Sequence, residues 1–246
     1  MRGIILAGGT GSRLGPLSKV TNKHLLPVGP APMIYYPISQ MLLNDIEDIC
    51  IVSGLSHLGS VVELLGSGSR FGCRFTYKLQ DEPGGICEAL ALCRDFSRTD
   101  YIAVILGDNI FGDVIDLNYK GEARLFLKQV EHPERFGIAD VDHMKRLVDI
   151  KEKPSDPKSN LAVIGAYCYG PVIWQHIESL TRSERGELEI TDLNKKLIDN
   201  YYVDLKELDF YWHDAGEIKS YKEVNYEIWD NMSKEVKDKI DWMIKR

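Results

Sequence analysis

The chain has 246 residues, of which 44% are hydrophobic and 27% charged, the usage of an ordinary globular protein; this excludes a disordered, collagen-like or linker-array chain. Thirty Lys and Arg against 37 Asp and Glu give a net charge of −7, a poor footprint for general nucleic-acid binding but no obstacle to an anionic small substrate, which needs only local cations. The five cysteines form no C-x-x-C pair and the six histidines are scattered, so free thiols in a reducing cytosol are expected rather than a zinc site. No apolar stretch approaches the ~20 residues of a membrane span, and the N-terminal apolar run is too short for a signal peptide. The reading is a soluble cytoplasmic protein.

In chain order, Gly3–Ala7 reads as a buried strand. Met33–Leu43 reads as a helix, with Ile34, Ile38, Met41 and Leu42 at helical spacing. Asp48–Ser53 is a strand, and Leu58–Leu65 a helix stopped by Gly66-Ser67-Gly68. Phe75–Gln80 is a strand, Ile86–Phe96 a helix and Tyr101–Leu106 a fully apolar strand. This alternation predicts an α/β fold, with a mainly parallel sheet covered by helices on both faces. Ligands of such sheets lie outside the carboxyl ends of the strands, here the loops Gly8–Pro16 and Gly107–Phe111. Beyond them, Arg124–Val130, Gly137–Val141, Leu147–Glu152 and Val163–Tyr169 read as strands without long intervening helices, predicting antiparallel or mixed pairing. Val172–Leu180, Ile190–Asp199 and Glu217–Trp229 read as helices, followed by a tail helix carrying Val236, Ile240 and Met243. The organisation expected is a single domain over 1–246, with a core over 1–122, a mixed-sheet part over 123–216 and C-terminal helices over 217–246.

Five segments carry candidate chemistry. Leu6-Ala7-Gly8-Gly9-Thr10-Gly11-Ser12-Arg13-Leu14 runs from a strand into a glycine-rich turn, where successive N–H groups can cradle a phosphate and Arg13 can grip its oxygens. The Walker pattern is absent. A dinucleotide fingerprint fails because Leu14 replaces its last glycine and Pro16 follows. Lys23 follows closely and could add a second cation. Asp108, leaving an apolar strand, and Asp214, at a turn, could together hold a hard cation such as Mg²⁺; a turn or helix cap is the plain alternative for each. Glu152 and Lys153, stopped by Pro154, could meet hydroxyls and phosphate, or form a solvated charge run. Glu187 and Glu189 suit a helix N-terminus, while Arg185 before them could contact an anion.

In combination these segments resemble the sugar-nucleotide pyrophosphorylases, and within them the glucose-1-phosphate thymidylyltransferases. Leu6–Leu14 is similar to L-A-G-G-x-G-x-R-L. Lys23-His24-Leu25-Leu26-Pro27 is similar to K-x-L-L-P, and Pro32–Pro37 to P-M-I-Y-Y-P. Gln80 with Pro83–Ile86 resembles the base-reading loop, and Leu106–Asn109 the metal and sugar loop. Glu152–Pro154, Pro157–Asn160, Arg185–Asp192 and Trp212–Gly216 follow in the family's order, so the likeness covers nearly the whole chain.

The resemblance implies a Rossmann-like nucleotide-binding core with a mixed-sheet sugar-binding extension. It also implies Mg²⁺-dependent synthesis of dTDP-glucose and pyrophosphate from dTTP and glucose 1-phosphate. By position, Leu6, Gly8, Gly9, Thr10, Gly11 and Arg13 would hold the nucleotide, and Gln80 and the Gly85 backbone would read the base. Asp108 and Asp214 would bind Mg²⁺. Asn109, Gly137, Glu152, Val163 and Arg185 would surround the sugar phosphate. Lys23 would steady the nucleotide phosphates, and Lys153 the reacting ones. The family further implies a homo-oligomer, no nucleic-acid or membrane partner, and a place in deoxysugar supply (dTDP-rhamnose) for a surface polysaccharide. The chain resembles the short form, which predicts weak or absent feedback by dTDP-rhamnose. Gly15, Leu161 and His213 depart from the family pattern, which leaves the sugar and the base open. The rival readings are UTP, CTP or ATP as donor, another sugar 1-phosphate, a non-catalytic sugar-nucleotide sensor and, on the glycine turn alone, a nicotinamide dehydrogenase.

Overall fold

The structure is a computed structural model describing residues 1–9 and 11–246. In chain order its elements are β1 (Arg2–Ala7), β2 (Pro27–Val28), β3 (Ala31–Pro32), α1 (Tyr35–Leu43), β4 (Asp48–Gly54), α2 (Leu58–Leu65) and β5 (Arg74–Gln80). Next come α3 (Ile86–Ala91), α4 (Arg94–Ser97), β6 (Ile102–Leu106), β7 (Asn109–Phe111), β8 (Ala123–Gln129), β9 (Gly137–Val141), β10 (Leu147–Glu152) and β11 (Leu161–Tyr169). The chain ends with α5 (Ile173–Glu178), α6 (Ile190–Asn200), β12 (Val203–Glu207), β13 (Trp212–Asp214), α7 (Ile218–Glu227) and α8 (Lys234–Ile244). Two compact units result: Met1–Pro83 with Ile105–Asn118 and Phe210–Arg246, and Gly84–Val104 with Tyr119–Asp209.

In the first unit β1, β4 and β5 are parallel, registered Gly3↔Ile49 to Ala7↔Ser53 and Asp48↔Arg74 to Gly54↔Gln80. The end of β6 lies on the free side of β1, where Gly107 N–H donates to the Leu6 carbonyl at 2.9 Å. β1 and β4 are apolar along most of their length because both faces are covered: Ile4, Ile5, Ile49, Ile51 and Val52 are fully or almost fully buried. β7 and β13 pair antiparallel with Asp214 opposite Asn109, so a strand starts at Asn109 where a loop through Phe111 was expected. α1 packs on α8, whose Val236, Ile240 and Met243 are buried at the spacing the sequence shows.

In the second unit β10, β9, β11 and β8 are joined antiparallel in that order, and β12 adds parallel to β8. This is the mixed pairing expected; β12 is an extra strand. The helix expected over 86–96 is split. Cys93 takes φ −92° and ψ 2°, its N–H donates to Leu90 instead of Ala89, and α4 restarts after it. The five cysteines are buried free thiols. Among the described residues, no helix is long and apolar enough to cross a membrane.

Candidate functional site

In the first unit the ends of β1, β5 and β6 deliver Gly8, Gln80 and Asp108. Gly8 and Gln80 meet closely: a Cβ on Gly8 would lie 2.7 Å from Gln80 Oε1, so any side chain there would displace the Gln80 amide. Gly9 and Gly11 take φ of +87° and +63°, the left-handed region glycine favours, so the turn exposes backbone instead of side chains. Thr10 lies outside the described residues. Leu6 is buried within β1. Arg13 is exposed and pairs with Glu217, at the cap of α7, at 3.1 Å. A short 3-10 turn, Lys23–Leu25, follows, and Lys23 Nζ sits 2.5 Å from Asp108 Oδ2. His24 beside it is buried; burial, then the neighbouring Lys23 charge, push its imidazole down to about 3, so it is neutral at pH 7.

Asp108 is 8% exposed, and its Oδ1 accepts from Asn109 Nδ2 at 3.1 Å. Asn109 Oδ1 in turn accepts from Trp212 Nε1 at 2.9 Å. Strand pairing carries Asp214 alongside, and Ala215 N–H donates to the Asp108 carbonyl at 2.9 Å. The two carboxylates converge: Asp214 Oδ1 and Asp108 Oδ2 lie 2.8 and 3.1 Å from the point a Cβ on Gly216 would occupy. Burial, then the Asp108 charge, push the Asp214 carboxyl up. Burial would raise Asp108 also, but Lys23, His24 and the bonds from Lys23 and Asn109 outweigh it and hold that carboxyl below its ordinary range.

Two facing carboxylates that repel each other are a suitable donor set for a hard divalent cation, and Mg²⁺ takes one or two protein carboxylates with phosphate and water completing its shell. No group of three or more His, Cys, Asp or Glu that could hold a metal occurs among the described residues. His213 Nδ1 lies 3.3 Å from the Asp214 carbonyl, and its Nε2 lies 3.5 Å from Glu223 of α7.

In the second unit, three expected sugar-side residues fall in one row across the sheet. Val163 of β11 is opposite Gly137 of β9, which is opposite Glu152 of β10. Gly137 lies directly beside that carboxylate: a Cβ on it would be 3.4 Å from Glu152 Oε2 and 3.3 Å from Thr191 Oγ1. Glu152 Oε2 accepts from Thr191 Oγ1 at 2.6 Å. Lys153 takes φ +42°, the left-handed region, immediately before Pro154. Neighbours on a strand point to opposite faces, yet this turn brings Lys153 Nζ within 3.2 Å of Glu152 Oε1. Arg185 makes three bonds to Glu189, at 2.8, 2.9 and 3.2 Å, and lies 3.6 Å from both Glu152 and Glu187. Gly85 has φ +98°, and a Cβ there would strike the Leu188 carbonyl at 2.5 Å, so the 84–85 turn rests on the segment that carries Arg185. Sequence reading assigned no role to Asn22, Trp212, Thr191 or Glu217, which contact candidate site residues here; Trp212 and Thr191 lie within the motif segments, and Asn22 is a capping residue type directly before Lys23.

The parallel sheet with glycine turn, cation and paired carboxylates at its strand ends defines a nucleotide-binding α/β protein, and the Nucleotidyl transferase family profile matches residues 2–231. The chain belongs to that family and is a nucleotidyltransferase. Among relatives, the glucose-1-phosphate thymidylyltransferase of Neisseria meningitidis is 40% identical over 91% of this chain and 81% of its own. The low-salt glycan biosynthesis nucleotidyltransferase Agl11 of Haloferax volcanii is 37% identical over 95% of this chain and 67% of its own. A crystal structure described as a candidate glucose-1-phosphate thymidylyltransferase from Bacillus anthracis, in complex with sucrose, superposes with a TM-score of 0.89 at 47% identity, covering 96% of this chain and 99% of that one. A UDP-glucose pyrophosphorylase complexed with UDP-glucose shares the fold at a TM-score of 0.81 and 21% identity, covering 93% and 98%.

Proposed function

We propose that this chain transfers dTMP from dTTP to α-D-glucose 1-phosphate, forming dTDP-glucose and releasing pyrophosphate. The observation that carries the reading is the convergence of Asp108, Asp214 and Lys23 beside the glycine turn. We assign the nucleotide to Leu6, Gly8, Gly9, Thr10, Gly11, Arg13 and Lys23, with Gln80 and the Gly85 backbone on the base. The sugar phosphate goes to Asn109, Gly137, Glu152, Val163 and Arg185. On this reading 1–246 is one nucleotidyltransferase domain, with 1–122 the nucleotide core, 123–216 the sugar-binding part and 217–246 the C-terminal helices.

The nucleophile is an oxygen of the sugar phosphate, already ionised, so no general base is required. It attacks the α-phosphorus in line; one P–O bond forms and the bond to the bridging oxygen of pyrophosphate breaks. The barrier lies in bringing two anions together and aligning them. Arg13 and Lys23 lower the repulsion on the nucleotide side, and Lys153 does so for the reacting phosphates. Asp108 and Asp214 would hold Mg²⁺, which supplies further neutralisation of phosphate charge. We expect a cytoplasmic homo-oligomer with no nucleic-acid or membrane partner.

The test is pyrophosphate release with Mg²⁺, glucose 1-phosphate and each of dTTP, UTP, CTP, ATP and GTP. Release should be highest with dTTP and abolished by chelator and by Asp108→Asn. Preference for another nucleotide or sugar phosphate would change the substrate assignment. Folded protein that binds dTDP-glucose without turnover would replace it with the sensor.

A further inference from the structure

Lys23 is held on Asp108 by a turn of only three residues, and such a turn fixes a long side chain poorly unless something fixes the turn. Asn22 does so. It is 3% exposed, caps the turn, and its Oδ1 accepts from the His24 backbone N–H at 2.8 Å and lies 2.7 Å from His24 Nδ1. Its Nδ2 faces the Ala7 carbonyl and Ser53 Oγ, each at 3.4 Å, the last residue of β1 and its register partner in β4. Because a backbone N–H must meet an acceptor, the amide orientation of Asn22 is fixed. The His24 ring in turn lies under the Asp108 turn: a Cβ on Gly107 would be 2.6 Å from His24 Cδ2. Asn22 thus reaches both members of the ion pair, Lys23 through the turn and Asp108 through His24 and Gly107.

We propose that Asn22 is a positioning residue of the transfer site, anchoring the Lys23 turn to the ends of β1 and β4 so that the ammonium stays aimed at the nucleotide phosphates. This rests on the proposed transferase reading. A side chain that merely caps a turn would affect stability alone; one that aims Lys23 affects dTTP and loses its effect when Lys23 is gone.

The experiment is a double-mutant cycle on the full chain with Asn22→Ala and Lys23→Met. It reads dTTP affinity by calorimetry in chelator, kcat and KM for pyrophosphate release, and the urea midpoint. Asn22→Ala should weaken dTTP about tenfold and lower kcat about 30-fold, the scale of a misplaced catalytic group, with KM for glucose 1-phosphate unchanged. In the Lys23→Met background it should change dTTP affinity less than about twofold, as expected for residues acting as one unit. Should Asn22→Ala not fold, Asn22→Ser, which keeps an acceptor for the turn but has no amide donor, takes its place in the cycle. The same loss of affinity with and without Lys23, or a lowered urea midpoint with affinity and kcat intact, would overturn the proposal. Wild-type protein that neither binds dTTP nor releases pyrophosphate would overturn the transferase reading itself, whatever the variants do.

Discussion

At the scale of single residues, burial decides which polar groups act and which only hold. His24 is 1% exposed and kept neutral, with its folded value about 3 against an ordinary 6.5. Between those values the unfolded chain binds a proton that the folded chain refuses. Stability is therefore complete above about pH 6.5 and is lost as pH falls toward 3, by about 1.4 kcal/mol per pH unit in the middle of that window. Urea unfolding of the wild type and His24→Gln at pH 7 and pH 5 isolates this from the carboxylates common to both. The wild type should lose more stability on acidification than the variant, and equal losses would show that His24 takes up no proton on unfolding. Nothing in the sequence marks His24 as buried, because it lies between a charged Lys23 and an apolar Leu25 and its environment comes from Gly107, more than eighty positions away.

At the scale of elements, the strands with continuous apolar runs were legible, because a buried strand has to be apolar on both faces; β9 and β10 also fall where their sequence places them. β12 and β13 were not, since Val203–Glu207 and Trp212–Asp214 are short and largely polar and only their partners, β8 and β7, make them strands. Candidate site residues at strand ends were legible, but the cross-strand row of Val163, Gly137 and Glu152 depends on register, which local sequence does not state. The end of β10 holds a testable tension. Lys153 adopts a left-handed conformation before a proline, where a side chain is disfavoured. Lys153→Gly should relieve that strain, about 1–2 kcal/mol for a left-handed side chain, and after the extra unfolded-state entropy of glycine raise stability by about 0.5–1 kcal/mol. It should also cut turnover about 100-fold by removing the cation proposed to meet the reacting phosphates. Lys153→Ala should lose the same activity with no gain in stability. Thermal unfolding beside kcat for the two variants separates strain from chemistry; a glycine variant that is less stable than the alanine variant would contradict it.

At the scale of the molecule, a protein of net charge −7 has to bind two phosphorylated substrates through cations set locally against a repelling background. The cations proposed for this are divided, Arg13 and Lys23 in the first unit and Lys153 and Arg185 in the second, and each of the four pairs with an internal carboxylate in this structure. On the proposed assignment, the two parts of a sugar nucleotide should therefore register on different peptides. Hydrogen exchange with dTDP and Mg²⁺ should slow at 6–14, 23–25, 84–86 and 106–109, where nucleotide contacts are assigned. Replacing dTDP by dTDP-glucose should add protection at 137–138, 150–153 and 185–191, because only the glucosyl moiety reaches the Glu152 row and Arg185. The segments are informative because their amides are partly engaged in turns and strand ends, where opening is local and ligand contact shifts it measurably. If both ligands protect the same peptides to the same extent, the sugar contacts have been assigned to the wrong residues. If dTDP protects only the second unit, the glycine turn is not the nucleotide site.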